Sequence, residues 1–126
     1  MNITFLKTLL SVPTAPYREA LVQQCLFEEL KKQRIPYFVD PARNIVVGVS
    51  SKEQYLARIK KKTKEPLRLF IAHTDHPGFH GTKWVNDREF EFKWYGGSPK
   101  KYLVGAKVWV CNQSGASVSG RTTKVK

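Results

Sequence analysis

Apolar residues at Phe5, Leu6, Leu9 and Leu10 recur at helical spacing behind Thr4, a plausible N-cap, until Pro13 and Pro16 stop the pattern. A longer helix is predicted from about Tyr17 to Gln33, with Leu21, Val22, Cys25, Leu26 and Leu30 on one stripe. Lys31, Lys32 and Arg34 complement the negative end of its dipole, and Pro36 closes it. Tyr37-Phe38-Val39 then reads as extended, Asp40 to Asn44 as a turn, and Ile45 to Val49 as a β-branched strand. Ser51 and Gln54 have capping-box spacing for a basic helix to about Thr63, which Pro66 closes. Leu67 to Ala72 is the next predicted strand, and it ends directly on His73.

The texture changes after Gly81. Phe90, Phe92 and Trp94 alternate with Glu91, Lys93 and Tyr95, the period of a half-buried strand. Gly96 to Pro99 reads as a turn and Val108 with Val110 as a second strand. Ser114-Gly115 is then a hairpin turn leading into Ser117-Val118-Ser119. No helical pattern follows residue 81. The expected organisation is the N-terminal part of a layered α/β domain over residues 1–80, followed by the start of an antiparallel β-barrel over 81–126. Neither piece is complete, because two main strands make a poor open sheet and a closed barrel needs more strands than 81–126 supply.

Composition agrees with a packed protein, at 41% hydrophobic and 12% aromatic residues. The 22 Lys and Arg against 10 Asp and Glu give a net charge of +12, a balance that suits an anionic partner as well as a solvated surface. Cys25 and Cys111 lie far apart in apolar stretches and read as reduced, buried thiols. The first residues lack the basic and apolar regions of a secretion signal, and no apolar run reaches membrane-spanning length, so a cytoplasmic protein without a membrane partner is expected.

The residue best placed for chemistry is His73, at the carboxyl end of a predicted strand, where open α/β sheets bind their ligands. Asp75 follows two residues later, and Pro77-Gly78 turns the chain. An imidazole that binds a metal through one nitrogen, with a carboxylate holding its other N–H, is a familiar metal corner. The stretch Ala72-His73-Thr74-Asp75-His76-Pro77-Gly78-Phe79 resembles the A-H-x-D-x-x-G-F signature of the tetrahedral and glutamyl aminopeptidases. The likeness runs in order along most of the chain. Leu10 to Pro13 with Glu19 resemble the opening helices of that family, and Asp40 to Val46 its D-x-x-G-N turn and strand. Gly96-Gly97, Leu103, Gly105, Val108 and Gly120 resemble the first strands of its inserted β domain.

That resemblance implies a zinc-peptidase-like α/β domain and two divalent metal ions, zinc or cobalt. It also implies removal of N-terminal residues from short peptides by two-metal activation of water. His73 would be a metal ligand, and Asp75 the catalytic carboxylate that orients it. Homo-oligomers built through the β domain are implied as well. The bridging Asp, the general-base Glu and the remaining ligands follow the β domain in this family, so residues 1–126 are expected to be an inactive N-terminal fragment. The chain departs from the family pattern at His76, Pro77 and Arg43, and the basic helix from Lys52 to Thr63 looks like an insertion. A related dizinc carboxypeptidase or deacylase is the near alternative.

Two other readings come from the residues alone. His73, His76 and His80 with Asp75 would align on one helical face, but Pro77 and Gly78 oppose a helix there. The run Arg58, Lys60, Lys61, Lys62 and Lys64, with Trp84, Phe90, Phe92 and Trp94 as stacking surfaces, would suit a nucleic-acid-binding module with an oligonucleotide-binding-like barrel. A solvated helix face and a small sheet core are the plainer accounts of those residues.

Overall fold

A computed structural model describes residues 3–62 and 64–125 of the chain. It divides into two units, one made of residues 1–23 with 74–126, the other of residues 24–73. Among the described residues three α-helices, a short 3-10 helix (Lys100–Tyr102) and six strands form, and every ladder is antiparallel: β1 (Tyr37–Val39) with β2 (Ile45–Val47), β3 (Gly78–Asn86) with β4 (Glu89–Tyr95), and β5 (Lys107–Cys111) with β6 (Ser117–Arg121). The architecture is mixed helix and antiparallel hairpin. No helix among the described residues is long and apolar enough to cross a membrane.

The mixture of helices and strands expected from the pattern is present, but the strands form separate antiparallel hairpins, and those of residues 81–126, expected to begin a barrel, do not close into one among the described residues. Each pair of strands is joined by a short turn, so each pairs locally and antiparallel, and no ladder joins one hairpin to another. The predicted strand Leu67 to Ala72 lies outside every ladder, with Phe70 93% and Ile71 88% exposed. A largely apolar run suits a strand covered on both faces, and among the described residues no strand pairs with this one.

In the unit of residues 24–73, α3 (Lys52–Lys60) forms as its cap demands: Ser51 Oγ accepts the Gln54 N–H at 3.3 Å, and Gln54 Oε1 accepts the Ser50 N–H at 3.0 Å. The helix ends at Lys60; Thr63, its expected end, lies outside the described residues. The helix α2 (Ala20–Lys32) ends in a Schellman turn, with Ile35 N–H on Leu30 O at 2.9 Å, Arg34 N–H on Lys31 O at 3.0 Å, and Arg34 itself at φ +55°. The Phe27 ring stacks on Tyr37 of β1 at 5.2 Å. Cys25 is a free thiol, and burial, reinforced by Glu28 and Glu29, pushes its pKa up.

The β1–β2 turn shows what the departure at Arg43 costs. Asp40 accepts hydrogen bonds from the Asn44 backbone N–H at 2.8 Å and from the Asn44 amide at 2.9 Å. These contacts, the side-chain one foremost, hold the Asp40 carboxyl below its ordinary value. Their stabilisation is present above the ordinary carboxylate pKa and is lost as pH falls through the lowered one. The turn closes only with Arg43 at φ +69°, a left-handed backbone that glycine adopts without a Cβ clash. Arg43→Gly should therefore stabilise the chain by about 0.5–1 kcal/mol net of the glycine entropy cost. Thermal unfolding checks this: the midpoint should rise, and a lower midpoint would contradict the assignment of strain.

Candidate functional site

Three separate stretches of the unit formed by residues 1–23 and 74–126 converge on the segment that begins at Thr74. The first is the loop between α1 (Ile3–Ser11) and α2: the Thr14 hydroxyl donates to the Thr74 carbonyl at 3.3 Å. A Cβ on Gly78 would lie 2.6 Å from that of Ala15, so the two backbones meet where only glycine fits. His80 adds a third tie, with Nε2 2.8 Å from the Pro16 carbonyl. A carbonyl only accepts, so Nε2 carries the proton, and this half-buried ring is a clamp on the loop. The loop carries strain at Tyr17, whose φ is +67°. Its ring sets an edge against Tyr95 at 6.0 Å, and Tyr95 also lies 4.3 Å from the His80 ring.

The second stretch is β4. Phe79 packs against Phe92 at 4.5 Å and Trp94 at 4.8 Å, both on the facing strand, so the motif's glycine and phenylalanine each have a packing role. A register shift between Gly81 and Lys83 keeps the aromatic face together: Phe79 opposes Trp94, Gly81 opposes Phe92, and Trp84 opposes Phe90. Lys83 and Glu91, opposite each other beyond the shift, approach at 3.7 Å. The third stretch is the Gly96 turn, where a Cβ would meet Pro77 at 2.6 Å. The aromatic residues considered as a stacking platform are thus engaged with one another, and Phe92 and Trp94 are half-buried.

The segment from Thr74 to Phe79 is therefore held on the loop side, the sheet side and the turn side. Asp75 is half-buried within it. His73 is exposed and is the last residue of the other unit, so the two candidate residues fall in different units. His76 is exposed and His80 is committed to Pro16, and among the described residues no group of three or more His, Cys, Asp or Glu is placed to hold a metal. A catalytic zinc takes about three protein ligands. One imidazole and one carboxylate do not meet that demand, so no hydrolytic step is assigned to these residues by themselves.

Sequence pattern assigns no role to Thr14 or Ala15, and it offers His80 as a possible metal ligand, whereas the ring is bound to the Pro16 carbonyl. Ala15 between two prolines, and Gly78 at the start of an aromatic strand, were the available signals of a close backbone approach. No family model, no curated protein and no solved structure matches the chain.

The Ala15–Gly78 contact yields a direct test. Gly78→Ala should destabilise the chain by about 1–3 kcal/mol through overpacking. Adding Ala15→Gly should recover part of that loss, because it removes the atom in the way. Strict additivity in a denaturant double-mutant cycle would show that the two residues do not meet.

Proposed function

We propose that this chain supplies the first metal corner, His73 with Asp75, of a metal-dependent aminopeptidase that removes N-terminal residues from short peptides. The observation that carries the reading is convergence. Stretches that resemble the family at Leu10 to Pro13, at Ala72 to Phe79 and at Gly96-Gly97 run into or adjoin one cluster around Thr74 to Phe79.

Within that reading each residue has a limited task. The His73 imidazole, exposed to solvent, would offer one nitrogen to a divalent ion. The half-buried Asp75 carboxylate would hold the ring's other N–H and fix its tautomer. Gly78, Phe79 and the Thr14 hydroxyl act as positioning residues for the backbone beside Asp75. A bound pair of divalent ions would supply activated water, and would need ligands besides His73 and Asp75.

Two measurements test the proposal. In calorimetric titration the 126-residue chain should show no tight site for two zinc ions; tight binding of both would overturn the incomplete-centre reading. Residues 1–126 should also replace the matching part of a tetrahedral aminopeptidase in a chimera. That chimera should release free N-terminal residues from dipeptides, and Asp75→Ala should lower its metal affinity by roughly 10–100-fold. A folded chimera that cleaves only N-acylated substrates, or nothing, would contradict the aminopeptidase assignment.

A further inference from the structure

The unit of residues 24–73 carries a second feature, which concerns binding and not catalysis. Leu67-Arg68-Leu69-Phe70-Ile71-Ala72 has the composition of a strand, lies in no ladder, and presents Leu67, Leu69, Phe70 and Ile71 to solvent. Beside its first residues is an open groove of about 730 Å³ lined by Arg58, Lys61, Glu65, Pro66, Leu67 and Arg68. Between residues 58 and 68 there are six Lys and Arg against one Glu. A strand-forming backbone and apolar side chains therefore adjoin a concentrated positive charge.

From this juxtaposition we infer that Leu67–Ala72 is a docking edge for an acidic polypeptide strand, added by β-augmentation with its carboxylates over Arg58, Lys61 and Arg68. Backbone pairing supplies the affinity, and alternate apolar side chains of the incoming strand cover Leu69 and Ile71. The cations select an acidic partner over a neutral one. A second copy of this chain is the wrong occupant, because it would bring the same surplus of cations onto this one. Nucleic acid matches the charge but leaves Leu69, Phe70 and Ile71 without an apolar counterpart. The inference does not depend on the metal reading, since an added strand is bound whether or not His73 ever meets a metal.

The test uses the full chain and a fluorescent peptide of about eight residues, the length of an ordinary strand, alternating valine and glutamate. Anisotropy should show saturable binding. The same peptide with lysine in place of glutamate should bind roughly tenfold more weakly, the sum of a few exposed charge pairs. N-methylation of alternate amides should abolish binding, as loss of ladder hydrogen bonds demands. Phe70→Pro, at a side chain too exposed to support the fold, should weaken binding with unchanged circular dichroism. Arg58→Glu with Arg68→Glu should reverse the preference toward the lysine peptide. Equal binding of the two peptides, indifference to N-methylation, or displacement of the acidic peptide by an equimolar oligouridylate would each overturn the inference. So would a concentration-dependent dimer that the peptide fails to dissociate. Metal is absent from every arm, so a negative result here leaves the aminopeptidase proposal standing.

Discussion

The backbone of Gly78 lies so close to Ala15 that no side chain fits between them, and the organisation around the candidate corner depends on that contact. It brings the loop after α1 onto the first residue of β3 and lets Thr14 reach the Thr74 carbonyl and His80 the Pro16 carbonyl. Phe79, one residue on, is then delivered into the aromatic face of β4. The segment containing Asp75 is positioned by packing at its far end, over a few residues, with little freedom left for its backbone. The same constraint explains why the loop tolerates a left-handed Tyr17: three independent ties over-determine its path.

Away from this cluster the chain is short of neighbours. Its buried apolar residues are few, chiefly Ala15, Val22, Val49 and Leu103, while large side chains on α1, on the strand-like segment after Pro66 and on β5 and β6 face solvent. The polar contacts, in contrast, are mostly made locally, the buried Trp94 Nε1 being an exception among the described residues. Thr122 is buried, but its hydroxyl donates to the Leu103 carbonyl and accepts the Ala106 N–H at 2.9 Å, tying the end of β6 to the turn before β5. Hairpins, caps and turns satisfy themselves within a few residues, whereas burial of apolar faces needs partners from elsewhere. Secondary structure has formed without the surfaces that would cover it.

That contrast also accounts for what was legible beforehand. Features set by local chemistry were read from the residues: the Ser51–Gln54 cap, the Asp40–Asn44 turn, the alternation of β4 and the β5–β6 hairpin at Ser114-Gly115. β3 was missed because glycine at 78 and 81 and the register shift after Gly81 break the two-residue period just where it would have been visible. The residues of Leu67–Ala72 prefer a strand, but pairing is a property of neighbours, and no pairing strand is present among the described residues. Spacing and resemblance point to His73 and Asp75. The supports of the segment around Asp75, Thr14, Ala15 and His80, are 59 or more positions distant from it or belong to a strand that was not foreseen. Long-range contacts of that kind leave no trace in a local period.

Leu67–Ala72 is a strand by composition that pairs with no neighbour among the described residues. Amide hydrogen exchange on the isolated monomer measures this directly. The account predicts exchange at nearly the unprotected rate from Leu67 to Ala72, alongside slow exchange across the β3–β4 ladder. Protection of Leu67–Ala72 equal to that of β3 and β4 in the monomer would mean that the segment already has a partner within the chain, and would contradict the account.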